Sequence, residues 1–412
     1  MILVQNHPLQ LSGNRILSFL LICFCLGACS PRTKTVKQPQ KDVVKKDDPA
    51  GKNTTRKLTE ANISLLLPFN VNQQKVHTGK KAEIEKSAMA IDFYQGFKMG
   101  LDSAAASTGL DFRLKVLDTK DNAVQISNLI KGGQLNGSDL IVGPVFPDGI
   151  KFITNYSIAN HLPVISPLAA SHPDEFNNPN LISVVNNIEL HAQKIGDYIR
   201  RAYNSQNTIV VLINPKKSTD EVMAVPLRKY FQEGKGIAYK FQEYSSVYTM
   251  ETKLLADKQY VVLMSTADRQ FVVATLDKLA KMKTKGLQVS LFGHPNWIKQ
   301  NYNTDKLQLL NTRITSSYYI NYKSSEVIRF VKAYRKLNSF EPGEYAFKGF
   351  DIGLYFGTVF SRYGYNYLKY LPAEKYTGFH NSFSFIKEER LGYINTSLTL
   401  LEYKNYALKP IE

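Results

Sequence analysis

Twice along this chain, short apolar runs alternate with longer stretches of helical spacing, and few folds accept that order. The first set opens with Ile63-Ser64-Leu65-Leu66-Leu67, a buried-strand run ended by Pro68. Ala90 to Ala106 follows, with Ile91, Phe93, Phe97, Leu101 and Ala105 on or near one helical face. Phe112 to Leu117 reads as a strand, and Val124 to Ile130 as a helix closed by Gly132-Gly133. Asp139 to Val142 is a strand stopped by Gly143-Pro144, and Pro163 to Ile165 another, stopped by Ser166-Pro167. The pattern then restarts. Strands are expected at Thr208–Ile213, Ile237–Phe241, Tyr260–Met264 and Gln288–Phe292, with helices at Ser218–Gln232 and about 268–283. Strand and helix in turn, rather than in blocks, predict parallel sheets with helices on both faces. Ser325–Leu337 and Tyr345–Tyr363 are later helices. Ser382 to Leu408 alternates like hairpin strands, which close the sheets rather than form a third domain.

The N-terminus carries an address. Arg15 precedes a 13-residue apolar run, Ile16 to Ala28, broken only by Ser18 and Gly27. That is too short for a bilayer span, which takes about 20 apolar residues, and it reads as a signal peptide over 1–28. The run ends in Leu26-Gly27-Ala28-Cys29, which resembles the bacterial lipobox. The resemblance implies cleavage before Cys29, lipid on its thiol and a membrane anchor. Cys23 and Cys25 leave with the signal, so the mature chain keeps no pair for a disulfide. Residues 30–57 hold nine Lys/Arg against three Asp and hardly any large apolar side chain. With Cys29 they read as an acylated, flexible basic tether, 29–57. It supplies +6 of the chain's net +17, and its basic character suits a solvated spacer or contact with anionic polymer. Export, and the lack of any nucleic-acid motif, argue against a nucleic-acid partner. Residues 58–412 are too many for one typical core and sufficient for two.

Catalytic signatures are missing. There is no Gly-x-Ser-x-Gly, His-Glu-x-x-His or Walker loop. His77, His161, His172, His191, His294 and His380 have no metal-like spacing. The expectation is a protein that is not an enzyme, with no cofactor and no metal.

Taken in order, several segments resemble the type I periplasmic-binding-protein fold, the two-lobed flytrap of branched-chain amino-acid receptors. They are Leu66-Leu67-Pro68-Phe69, Phe93-Tyr94-Gln95-Gly96-Phe97, Leu140-Ile141-Val142-Gly143-Pro144, Pro163-Val164-Ile165-Ser166-Pro167, Leu291-Phe292-Gly293, Phe330 to Arg335 and Ala346 to Asp351. The opening segments are also similar to lipoproteins that activate a class A penicillin-binding protein. The resemblance implies an α/β chain of two doubly wound parallel-sheet lobes joined by a three-crossing hinge. Lobe one is expected at 58–183 with part of 320–365, and lobe two at 184–315 with much of 366–412.

Ligands of such sheets sit beyond the carboxyl ends of the strands. That places Pro147 and Asp148 after one strand of lobe one, and Ser166, Ala169, Ala170 and Ser171 after another. Thr266 and then His294, Asn296 and Trp297 hold the equivalent places in lobe two, with Tyr318 near the hinge. Trp297 offers a face for stacking on a sugar or aliphatic chain; the alternative is a ring that caps the core. Tyr318 has the same two readings. The amino-acid receptors use a hydroxyl where this chain has Pro147, and an acid where it has Pro295 or Asn296. An ammonium closed in without an anion is costly, so the implied ligand is not a standard amino acid. Two functions follow. One is capture of an unknown small molecule for an ABC permease or a sensor. The other is docking in the envelope to regulate a peptidoglycan synthase. Ser30 beside Cys29 resembles an outer-membrane sorting pattern, which implies a site facing the periplasm.

Overall fold

The computed structural model describes residues 58–70, 81–234, 236, 239–255 and 257–412. The signal peptide, Cys29 and the tether lie outside the described residues. The first α/β set runs β1 (Glu60–Leu67), α1 (Lys81–Thr108), β2 (Asp111–Asp118), α2 (Ala123–Lys131), β3 (Leu140–Val142), α3 (Pro147–Ala159), β4 (Val164–Ser166) and β5 (Leu181–Ser183). The second runs α4 (Ile188–Ala202), β6 (Thr208–Ile213), α5 (Ser218–Glu233), β7 (Lys240–Tyr244), α6 (Val247–Glu251), β8 (Gln259–Met264), α7 (Arg269–Thr284), β9 (Gln288–Phe292), α8 (Thr304–Leu309) and β10 (Arg313–Ser316). The chain returns through α9 (Ser325–Asn338), α10 (Glu344–Tyr363), β11 (Lys375–Thr377), β12 (Ser382–Glu388) and β13 (Gly392–Asn395). It ends with β14 (Thr399–Lys404) and β15 (Ala407–Pro410).

These strands build two sheets. The first has the order β11-β12-β13-β5-β4-β3-β1-β2, the second β15-β14-β10-β9-β8-β6-β7. Within each, the five strands of the α/β set are parallel and the added hairpin strands antiparallel, except that β13 runs parallel to β5. Each set reverses direction between two neighbours, at β1/β3 and at β6/β8, which is where doubly wound sheets leave a crevice. Strands buried on both faces explain the continuous apolar runs, such as Thr208–Ile213, buried throughout.

Three expectations need correction. The strand expected at 237–241 is β7 at Lys240–Tyr244. The first helix begins at Lys81, because polar residues of its first turns hide the apolar spacing. The second lobe takes less of 366–412 than the expected larger share: β11 to β13 join the first sheet, and only β14 and β15 join the second. Alternation marks a strand but not its partner, and Tyr393 and Ile394 pair with Ile182 and Ser183, far back in the chain.

The first core packs β1, β3, β4 and β5 against α1 and α10. Glycine sets that contact. A Cβ on Gly96 would lie 1.9 Å from the Ala346 carbonyl oxygen, and one on Gly349 would lie 2.2 Å from that of Phe93. The two backbones therefore touch. Asp92 locks the crossing, accepting the N–H of Gly343 (3.1 Å) and Ala346 (2.9 Å) at the start of α10. It acts as an N-cap from another helix.

Candidate functional site

The chain passes between the lobes after β5, after β10 and after β13, and asparagines tie these crossings together. Asn395, fully buried, donates to the carbonyls of Val184 and Ser382 (3.0 Å each) and accepts from the N–H of Ser384 and Ser397. Asn186 donates to the Asn395 carbonyl (2.7 Å). Asn381 donates to the Ser317 carbonyl (3.0 Å), while Tyr319 N–H reaches His380 O (3.0 Å). That turn is held by Asp351, buried on α10, which accepts the N–H of Phe379, His380 and Asn381 and the Tyr376 hydroxyl. Burial pushes the Asp351 carboxyl up to about 6 against those donors. Its role is to fix the hinge turn.

A cleft of about 1210 Å³ opens above this hinge, walled by both lobes. Of the residues expected there, Pro147, Ala169, Ala170, Ser171, His294, Asn296 and Tyr318 line it. Four others do not. Trp297 is fully buried in the second core, its indole N–H donating to the Thr266 carbonyl (3.0 Å) and its ring against Tyr302. It caps the core, and the stacking role is withdrawn. Thr266 is buried and its hydroxyl accepts the Asp268 N–H (3.1 Å). Ser166 is buried at the end of β4. Asp148 is exposed in the first turn of α3, outside the wall. In each case the residue was placed by its distance after a strand, and that distance does not tell which way a side chain points.

Sequence reasoning missed much of the wall. His191 stands on α4, its Nδ1 2.8 Å from the Thr315 hydroxyl. Burial, and then the nearby His294, push its pKa down to about 3. His294 Nδ1 accepts the Asn296 N–H (3.1 Å), so its neutral ring carries the proton on Nε2. Burial holds it at about 4. Asn186 Oδ1 is buried with no hydrogen-bond partner among the described residues. Beside Tyr318, the hinge side of the wall adds Lys299, Glu344, Tyr345 and Lys348. Tyr318 stacks on His380 at 4.3 Å between centroids, 3° from parallel. Lys299 Nζ lies 5.8 Å above the Tyr318 ring and 3.5 Å from Glu344, whose Oε1 is 3.5 Å from His380 Nε2. Burial opposes charge on Glu344, but His380, Lys299 and Lys348 outweigh it and hold the carboxyl at about 2. No sequence spacing marks this group, since it gathers residues from three distant segments.

Among the described residues no cluster of three His, Cys, Asp or Glu is placed to hold a metal, and no helix is long and apolar enough to cross a membrane.

The arrangement is the type I periplasmic-binding fold: two doubly wound lobes, a three-crossing hinge and a cleft between them. Solved structures agree. A Rhodospirillum rubrum protein assigned to branched-chain amino acid ABC transport superposes with TM-score 0.62 at 17% identity, over 86% of this chain and all of that one. An ABC transporter substrate-binding protein from Desulfitobacterium hafniense in complex with Leu gives 0.52 at 14%, over 85% of this chain and all of that one. The C-domain of LpoA from Haemophilus influenzae, a regulator of PBP1A, gives 0.55 at 14%, over 85% of this chain and all of that one. No family model matches the chain. No curated protein matches it either.

Proposed function

We propose that this chain is an exported, lipid-anchored binding protein of the cell envelope that takes a small molecule in its interlobe cleft and catalyses no reaction. The observation that carries this reading is the cleft itself. It is large enough for a metabolite and presents polar groups from both lobes and the hinge: Ser171, Asn186, His191 and His294. An unmatched buried amide oxygen at Asn186 is a natural partner for a ligand donor. A hinge of three strands lets such lobes close on what they hold. The Cys29 anchor would keep the protein at the membrane, facing the periplasm. Delivery to an ABC permease or a sensor fits this reading, as does the likeness to substrate-binding proteins.

Native mass spectrometry of the full-length protein, extracted gently from its own envelope, tests it. A discrete added mass of a few hundred daltons, lost on unfolding, is the expected result. Bare protein, or a stoichiometric second chain, would overturn it and favour the other role such folds serve, docking to a cell-wall synthase as the LpoA likeness suggests.

A further inference from the structure

Lys348 puts a positive charge on the wall of the cleft. It sits on α10, only 6% exposed, and it lines the cleft. Among the described residues it makes no hydrogen bond and no ion pair, although Lys299, Glu344 and His380 surround the same corner. Glu344, one helical turn away, favours the charge on Lys348, but it is shared with Lys299 at 3.5 Å. The stem of Lys348 is buried, yet its Nζ is not among the buried atoms left without a partner, so the ammonium faces the open cleft. It also stands near the N-terminal end of α10, where the helix dipole repels a cation. Burial pushes its pKa down to about 8, which leaves it mostly charged at neutral pH.

The charge count of the corner narrows what could complete it. Lys299 and Lys348 supply two ammonium groups against the one carboxylate of Glu344, and burial acts against a charge on His380. The corner therefore holds an excess of one positive charge. A single carboxylate balances it, whereas a phosphate dianion overshoots. An α-amino acid brings an ammonium of its own into a corner whose acid is taken. Met89, Val145, Leu168, Ala169 and Ile298 give the same cleft an apolar wall.

We propose that Lys348, assisted by Lys299, anchors the carboxylate of a small organic acid with an apolar body and no ammonium group. This rests on the reading of the cleft as a solute site and names the class of solute.

Calorimetric titration of the full-length protein tests it with butyrate, 4-methylpentanoate and phenylacetate, their neutral amides, leucine and inorganic phosphate. At least one acid is expected to bind, with its amide about 50-fold weaker, the scale of a lost charged hydrogen bond. Leucine and phosphate are expected to bind no tighter than that acid. Lys348→Met should weaken the acid by a similar factor, and its thermal melt without ligand checks that the variant is folded. Lys299→Gln, an exposed change that leaves the fold alone, should cost about 3-fold. The assignment falls if none of the acids binds, if acid and amide bind alike, if phosphate or leucine binds tighter, or if Lys348→Met binds unchanged. Native mass spectrometry of Lys348→Met separates the two claims. A small molecule retained equally by variant and wild type would sink the Lys348 anchor and leave the solute site standing.

Discussion

His191 and His294 make the cleft sensitive to acid. Both are buried and neutral, with pKa values held at about 3 and about 4 by desolvation. In the unfolded chain each would titrate near 6.5. Below that value the unfolded state binds more protons than the folded one, so stability is complete above 6.5 and falls as the pH drops toward the folded values. Each histidine removes about 1.4 kcal/mol per pH unit in that window, so the pair accounts for about 4 kcal/mol between pH 7.5 and 5. His380, also lowered by burial, acts in the same direction. Urea unfolding at the two pH values measures the difference. His191→Gln should shrink it by about 2 kcal/mol; an unchanged difference would mean that His191 is not buried neutral. The change in slope, rather than the stability at one pH, isolates the proton from the lost Thr315 contact.

At the scale of elements, the contact between α1 and α10 is the most exacting in the fold. Gly96→Ala gains about 1 kcal/mol of helix propensity. It also puts a methyl group 1.9 Å from a backbone oxygen that cannot swing aside. Overpacking of this kind costs about 1–3 kcal/mol where side chains can yield, and here they cannot. The expected net loss is about 2 kcal/mol, read as a fall in the urea midpoint; a more stable variant would show that the helices do not touch. Gly96 stands within Phe93-Tyr94-Gln95-Gly96-Phe97 and Gly349 within Ala346 to Asp351. Those segments stood out in the sequence without showing that they touch, and the alternation of strands and helices pointed to parallel sheets without giving their strand order. What was not legible follows from length and distance. β5 has three residues and, unlike the equally short β3 and β4, no proline stop after it. The partner of β13 lies more than 200 residues upstream, beyond any local signal. The site divides the same way. Loops after β3, β4 and β9 were found because a doubly wound sheet dictates them. Trp297 was left between cleft and core and Lys348 overlooked, because one turn of backbone decides whether such a side chain faces the cleft or the core.

For the whole molecule the question is whether two cores behave as one. Trp297 is the only tryptophan and lies in the second core, so its emission reports that lobe alone. Far-ultraviolet circular dichroism reports the helices of both. The hinge argues for a single transition. Asn395, at the end of the first sheet, holds the chain entering the second lobe at Val184 and the chain leaving the first at Ser397. Freeing either lobe strands its buried amide, at about 1–3 kcal/mol for each unmet group. Coincident urea midpoints from the two probes are therefore expected. A ligand that touches both lobes should move the two midpoints together, by about 2.7 kcal/mol at a hundred times its Kd. If the emission of Trp297 changed at a lower urea concentration than the dichroism, the second lobe would unfold on its own. The three crossings would then be a tether between independent domains, and closure of the cleft would have to come from the ligand alone.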